Sequence, residues 1–221
     1  MYDYFSVMAT AVIIGNGLFP RKEYPRYLIQ TADLRVCCDG ALKTYLRNGF
    51  PLPDAVVGDM DSLPLSYRKR YADIIFPESE QEDNDQTKAI RWITRNRPDI
   101  DTIHILGATG RREDHTIGNL SLLMEYERTY HLSERGIRAD IVSDTCTAFA
   151  ITDSCELHVG EGRAISIFSP DNSVVIRSEG LEWPLDHVVF DNWWKATLNR
   201  ANADVVKLTF SHPALALIIL N

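Results

Sequence analysis

A chain of 221 residues has room for one large domain, or for a larger domain with a smaller partner. Its 45% apolar and 10% aromatic content can bury a core, which excludes a disordered or fibrous protein. The net charge of -8 disfavours nucleic acid as a partner, because neutralising phosphates needs a basic face, and it suits a small cationic or metal-bound ligand better.

The apolar run from Met8 to Ile14 follows acidic Asp3, where an export signal would carry positive charge. A cytoplasmic protein is therefore expected. Cys37, Cys38, Cys146 and Cys155 match no zinc spacing and are expected as reduced thiols.

In chain order, AVIIGNG from Ala11 is the first predicted strand, followed by LRVCCDG, DAVVGD and TIHILGATG. Each ends in Gly or Asp. Alternation with helical patterns up to about Ile141 predicts an α/β domain with a mostly parallel sheet, whose ligands gather beyond the carboxyl ends of the strands. Asp85 to Arg97 puts Ala89, Ile90 and Ile93 on one helical face and stops at Pro98. After Asp114, the spacing of Ile117, Leu120, Leu123 and Met124 predicts another helix that packs on the sheet. Beyond Ser143 the runs CELHVGEGRAISIFSP, NSVVIRSEGLEWPL and ADVVKLTF alternate between turn signals. The last run, Ala214 to Leu220, is too short to cross a bilayer and reads as a buried strand, so no membrane segment is expected. The expected organisation is an α/β domain over residues 1–143 and a small all-β, sandwich-like domain over residues 144–221.

Three motifs carry chemistry. In GDMDS, alternation along an extended segment would put Asp59 and Asp61 on one side, a pair that suits Mg2+; two acids capping a turn is an equal alternative. In EQEDNDQTK, Glu82, Asp83 and Asp85 crowd a helix start, where the dipole alone stabilises acids; so many together repel unless a cation sits among them. In GATGRREDHTIGN, Gly107 and Gly110 allow close backbone approach, and the amides at the helix start with Arg111 and Arg112 favour phosphate. Asp114 and His115 close that motif and could equally cap the helix.

GDMDS, the DNDQTK helix start and GATGRREDH, in that order, resemble the catalytic domain of thiamine pyrophosphokinases. CDGA at Asp39 and Gly40 is similar to the family's DGGA turn, and GLEWPL to its GLKYPL or GLKW segment, so the resemblance spans nearly the whole chain. It implies transfer of diphosphate from ATP to the hydroxyethyl group of thiamine, with release of AMP. It also implies a homodimer with a Rossmann-like domain followed by a β-sandwich. Mg2+ would be held by Asp59, Asp61 and Asp85, and ATP by Asp39, Gly40, Gly107, Thr109, Gly110, Arg111, Arg112, His115 and Asn119. Arg112 would stabilise charge on the transferred group, and Asp114 would orient or deprotonate the thiamine hydroxyl. Trp183, with Ser178, would contact the thiazolium-bearing thiamine, although a Trp in a strand is more often core; Trp193 and Trp194 read as core or interface.

Three departures stand out. EDND replaces the family's DQTD at Glu82 to Asp85, Arg111 replaces a Gly of the bacterial GATGGR, and TLN replaces TSN, putting Leu198 where the family is usually polar. Two rival functions use the same residues. DMDS is similar to the nucleophile motif of haloacid dehalogenase phosphatases, with Asp59 phosphorylated. A thiamine or nucleotide sensor would keep the pocket without turnover. A glycosyltransferase using the DxD is a weaker third.

Overall fold

The computed structural model describes residues 9–221; Asp3 and Met8, used above to judge the N-terminus, lie outside them. The chain divides into two compact units, one of residues up to Asn119 with Leu132–Asp144, the other of Leu120–His131 with Thr145–Asn221.

The first unit contains strands β1 (Ala9–Ile14), β2 (Leu34–Cys38), β3 (Ala55–Gly58), β4 (Ile75–Pro77), β5 (Ile100–Leu106) and β6 (Arg138–Val142). They lie in the order β6-β5-β1-β2-β3-β4, and every neighbouring pair is parallel. Ala11 to Ile14 are fully buried, as a strand covered on both faces requires. Ile13 sits beside Val36 on one side and Ile105 on the other, at the point where the strand order reverses. Helices α1 (Glu23–Thr31), α2 (Ala41–Arg47), α3 (Leu65–Arg70) and α4 (Asp85–Asn96) follow the strands, and α5 (Glu113–Tyr130) starts in this unit and belongs from Leu120 on to the second.

Helix α4 forms as the sequence predicts. Asn84 caps it by accepting from the Thr87 amide at 2.9 Å, Ala89, Ile90 and Ile93 are buried, and the helix ends just before the residue that precedes Pro98. Helix α5 corrects its expectation in part: Ile117 is 50% exposed, and the buried positions are Leu123 and Tyr126. Glu113, Asp114 and His115 in the first turn are exposed, so packing begins only further along the helix.

The second unit is built of antiparallel strands, as the alternating pattern predicts. Strands β7 (Thr147–Ile151), β9 (Ala164–Phe168), β11 (Ala196–Arg200) and β13 (Ala216–Leu220) pair in the order β11-β9-β13-β7. A second sheet has the order β10-β12-β8, with β8 over Cys155–His158, β10 over Ile176–Glu179 and β12 over Val205–Phe210. Along β12, Val206, Leu208 and Phe210 turn into the core while Lys207 and Thr209 face solvent. They meet Ile165, Ile167, Ile176 and Ile218. No helix among the described residues is long and apolar enough to cross a membrane.

The core of the first unit includes Tyr45, fully buried and stacked on Phe50 at 5.3 Å between ring centroids. Its hydroxyl has no hydrogen-bond partner among the described residues, and burial pushes its pKa well up. Tyr45→Phe is expected to leave stability unchanged or raise it by about 1 kcal/mol, because it removes an unsatisfied buried group. Tyr45→Ala is expected to cost about 3–5 kcal/mol through the cavity it leaves. Chemical denaturation of the two variants measures both.

Candidate active site

The carboxyl ends of β1, β2, β3 and β5 release four loops on one edge of the sheet. The first and last interlock. Gly15 N donates to Leu106 O at 2.7 Å, Gly17 N to Gly107 O at 2.6 Å, and Leu18 N to Thr109 O at 2.8 Å. A Cβ at Gly17 would stand 2.3 Å from the Gly107 oxygen, and one at Gly107, where φ is 65°, 2.7 Å from the Gly15 oxygen. Gly107 therefore serves a contact within the chain, and a Cβ at Gly110 would stand 2.9 Å from the Leu18 Cβ.

Against these loops lies a cavity of about 410 Å3, lined by Asp85, Gly107, Thr109, Arg111, Arg112, His115 and Asn119 of the predicted residues. The sequence reading missed Gly15, Asn16 and Gly17, which also line it; their signal was the strand ending in G-N-G. Arg111 is held by Asn16, with Nη1 donating to the Asn16 carbonyl at 3.0 Å and to its side-chain oxygen at 3.3 Å. Asn119 bridges two elements: its Nδ2 donates to Ala108 O at 2.7 Å and its Oδ1 accepts from Asn84 Nδ2 at 2.9 Å. Gly40 packs close by, since a Cβ there would stand 3.1 Å from both Asn16 Nδ2 and Ser62 Cβ. Arg112 and Asp114 form an exposed two-pronged ion pair. That guanidinium, helped by the His115 amide, pulls the Asp114 carboxyl down to about 2.

The acids converge in a turn. The residues after Gly58 are not extended as expected: Met60 has φ 68° and is buried in the core, and the Asp61 amide donates to Asp59 Oδ1 at 3.0 Å. The left-handed Met60 replaces alternation as the local geometry of the pair. Asp59 Oδ2 and Asp85 Oδ1 lie 3.4 and 3.7 Å from the ammonium of Lys88, a side chain only 2% exposed. The Asp61 amide and then Lys88 hold Asp59 low, against burial, whereas burial pushes Asp85 up. Asp39 is buried beside them. Its Oδ2 accepts from the Ser62 amide at 2.9 Å, its Oδ1 has no partner among the described residues, and burial raises its pKa.

Asp83 does not join this group. Arg91 collects it at 2.6 Å, together with Glu78 at 3.2 Å and Glu80 at 3.4 Å. Lys88 and Arg91 were not singled out in the sequence, although both fall on the buried face of α4.

Among the described residues no three His, Cys, Asp or Glu side chains form a ready-made metal site. The donor set nonetheless fits Mg2+, which takes one or two carboxylates and completes its shell with water and phosphate oxygens. Asp59 and Asp85 already share a cation in Lys88.

In the second unit, a cavity of about 280 Å3 is lined by Trp183, Leu185, Val188, Leu198 and Asn199 among others. Trp183 is 55% exposed, so its ring is not core, and Trp193 and Trp194 are exposed too. Ser178 does not line the cavity; its Oγ accepts from the Leu185 amide at 3.0 Å and so supports the wall.

Gly58 sets the spacing of the acids, because a Cβ there would stand 2.9 Å from Asp39 Cβ and 3.0 Å from Asp85 Oδ1. Gly58→Ala is expected to destabilise by about 1–3 kcal/mol as the buried acids are pushed aside, measured as a fall in Tm.

Two sequence-family models match. The one described as thiamin pyrophosphokinase, catalytic domain, covers residues 25–132, and the one described as thiamin pyrophosphokinase, substrate-binding domain, covers residues 147–215. Thiamine pyrophosphokinase 1 of Oryza sativa subsp. japonica is 31% identical over 233 aligned positions, covering 91% of this chain and 83% of the relative. Thiamine pyrophosphokinase of Bacillus subtilis (strain 168) is 33% identical over 128, covering 55% of this chain and 58% of the relative. Among solved structures, the Bacillus subtilis thiamine pyrophosphokinase superposes with a TM-score of 0.74 at 20% identity, covering 96% of this chain and 98% of that one. Yeast thiamin pyrophosphokinase gives 0.74 at 17% identity, covering 97% and 87%. Family models that match in both units, together with a relative 31% identical over 91% of this chain, place it in the thiamin pyrophosphokinase family.

Proposed function

We propose that the chain transfers diphosphate from ATP to the hydroxyethyl group of thiamine, giving thiamine diphosphate and AMP. The observation that carries this reading is the meeting of Asp59 and Asp85 on a buried ammonium, next to a glycine-walled cavity at the strand ends. Such chemistry needs positioning and charge neutralisation more than a covalent nucleophile.

Mg2+ held by Asp59, Asp61 and Asp85 would neutralise charge on the transferred diphosphate. The phosphates run along the Gly107–Arg112 loop toward the first turn of α5, whose amides favour anions. Arg111, tethered to Asn16, keeps that loop in place, and Asn119 fixes it to the start of α4. His115, Thr109, Gly40 and Asp39 complete the nucleotide side. Arg112 exchanges its exposed partner Asp114 for the phosphate oxygens. Asp114, released by Arg112, would orient or deprotonate the thiamine hydroxyl. Trp183 offers its exposed face to the thiamine rings.

In this reading residues 1–143 form a Rossmann-like ATP domain and residues 144–221 a thiamine-binding sandwich of a cytoplasmic homodimer. Family membership leaves the haloacid dehalogenase reading of Asp59 without support.

Purified protein given ATP, Mg2+ and thiamine is expected to form AMP and thiamine diphosphate in equal amounts, and neither without metal. Phosphate release without thiamine would favour the phosphatase, and thiamine binding without AMP the sensor. Asp61→Ala and Asp85→Ala are each expected to lower kcat by on the order of 10^3; Tm is expected to stay close to the wild type for Asp61→Ala and to fall for Asp85→Ala, which takes one carboxylate from the buried Lys88 ammonium. Near-normal turnover in either folded variant would remove that residue from the metal site. Trp183→Phe is expected to raise KM for thiamine roughly two- to fivefold with less effect on ATP, and equal changes in both would detach Trp183 from thiamine.

A further inference from the structure

The chain carries a net charge of -8 and gathers acids beside a cavity whose ligand is itself an anion. Asp39, Asp59 and Asp85 meet there, the Lys88 ammonium is buried among them, and Arg112 is already paired with Asp114. A nucleotide arriving through solution therefore meets a field that opposes it.

Helix α3 is built in the opposite sense. It ends in three consecutive cations, Arg68, Lys69 and Arg70, and it buries no residue, so packing against the core does not account for it. It starts three residues after Ser62, which lines the cavity and whose amide donates to Asp39 Oδ2 at 2.9 Å. Arg68 is turned back toward that loop, with Nε donating to the Leu63 carbonyl at 2.8 Å, and its charge favours the ionised form of Asp39. The Arg70 guanidinium lies over the Tyr71 ring, 5.4 Å from its centroid, and Lys69 and Arg70 are both exposed. Among the described residues none of the three forms an ion pair, so their charge is not cancelled locally.

A helix of this length spans about 9 Å, which keeps all three cations within about 20 Å of Ser62. Their field reaches the cavity at low ionic strength, where the Debye length is about 30 Å at 0.01 M, and is lost at 1 M, where it is about 3 Å. Cations in the last turn of a helix also complement its dipole, but that role alone moves Tm and leaves the rate of ligand arrival untouched.

Resting on the ATP reading of this cavity, we propose that Arg68, Lys69 and Arg70 form an electrostatic funnel that draws the metal-nucleotide anion to the strand-end edge against the negative field of the chain. They speed the arrival of a polyphosphate without touching it once bound, so the association rate carries the effect and the chemical step does not.

The test is stopped-flow association of the Mg2+ complex of N-methylanthraniloyl-ATP with the full chain, across ionic strength, in the wild type, K69E/R70E, K69Q/R70Q and R47E/R95E, with Tm measured for each. Helices α2 and α4 start beside the cavity, so Arg47 and Arg95 in their last turns lie at the far ends, and their reversal changes the net charge by the same amount as K69E/R70E. At about 0.02 M ionic strength kon is expected to fall about five- to tenfold in K69E/R70E, about two- to threefold in K69Q/R70Q and less than about twofold in R47E/R95E. The differences are expected to close at about 0.5 M, with koff and kcat near the wild type throughout. An unchanged kon in K69E/R70E at low salt overturns the proposal. So does equal slowing in R47E/R95E, which would assign the effect to net charge alone, and so does slowing that persists at high salt, which would mark a direct contact. If the wild type binds the probe and the α3 variants bind it equally fast, only the funnel fails; if the wild type does not bind it at any salt, the ATP reading of the cavity fails with it.

Discussion

The backbone contact between the β1 and β5 loops is the constraint from which the rest of the first unit follows. Gly15, Gly17 and Gly107 let two main chains approach to hydrogen-bonding distance where the strand order reverses, and a side chain at any of them would meet a carbonyl oxygen closer than 3 Å. With the loops locked, Asn16 is placed to hold Arg111, and the Gly107–Arg112 segment has a fixed path into α5. The other end of the β1 loop is tied as well. The Asp144 carboxylate accepts from the amides of Arg21 and Lys22, so the chain entering α1 is fastened to the end of β6. A ligand at this edge meets a surface that is already organised, and organisation before binding lowers the entropy lost on binding.

Charge is sorted with the same economy along α4. The acidic run before the helix looks uniform in sequence, yet it divides between two cations one helical turn apart. Arg91 gathers Glu78, Glu80 and Asp83, and Lys88 takes Asp85 together with Asp59 from a different strand end. Both cations are buried, so taking a partner from either leaves a poorly compensated charge and costs more than breaking a surface ion pair. Asp85 is thereby singled out from its neighbours.

Much of the architecture was legible from periodicity. The buried runs of β1, β2, β3 and β5 and the apolar face of α4 are written as continuous or helically spaced apolar residues, and the alternation of β12 is equally plain. Helices α2 and α3 and strand β4 were not, because each is short, α3 buries no residue, and β4 is mostly exposed. The site was legible as a set of residue types at strand ends, but not in its local geometry. GDMDS suggests an extended pair, whereas Met60, anchored in the core, bends the chain left-handed between the two acids. Lys88 and Arg91 read as ordinary helix cations, since their function comes from acids brought in from elsewhere in the chain. Asn84, a departure from the family motif, proves to be the helix cap, a task that Thr also performs.

Lys88 has one more consequence. A site for divalent cations built of bare carboxylates is a liability whenever the cation is away, because the acids then push the fold apart. Here the ammonium is a resident counter-ion carried by the chain itself, 2% exposed and in reach of both carboxylates. The carboxylates are thus neutralised from within the chain and held in place by a charge that never leaves them.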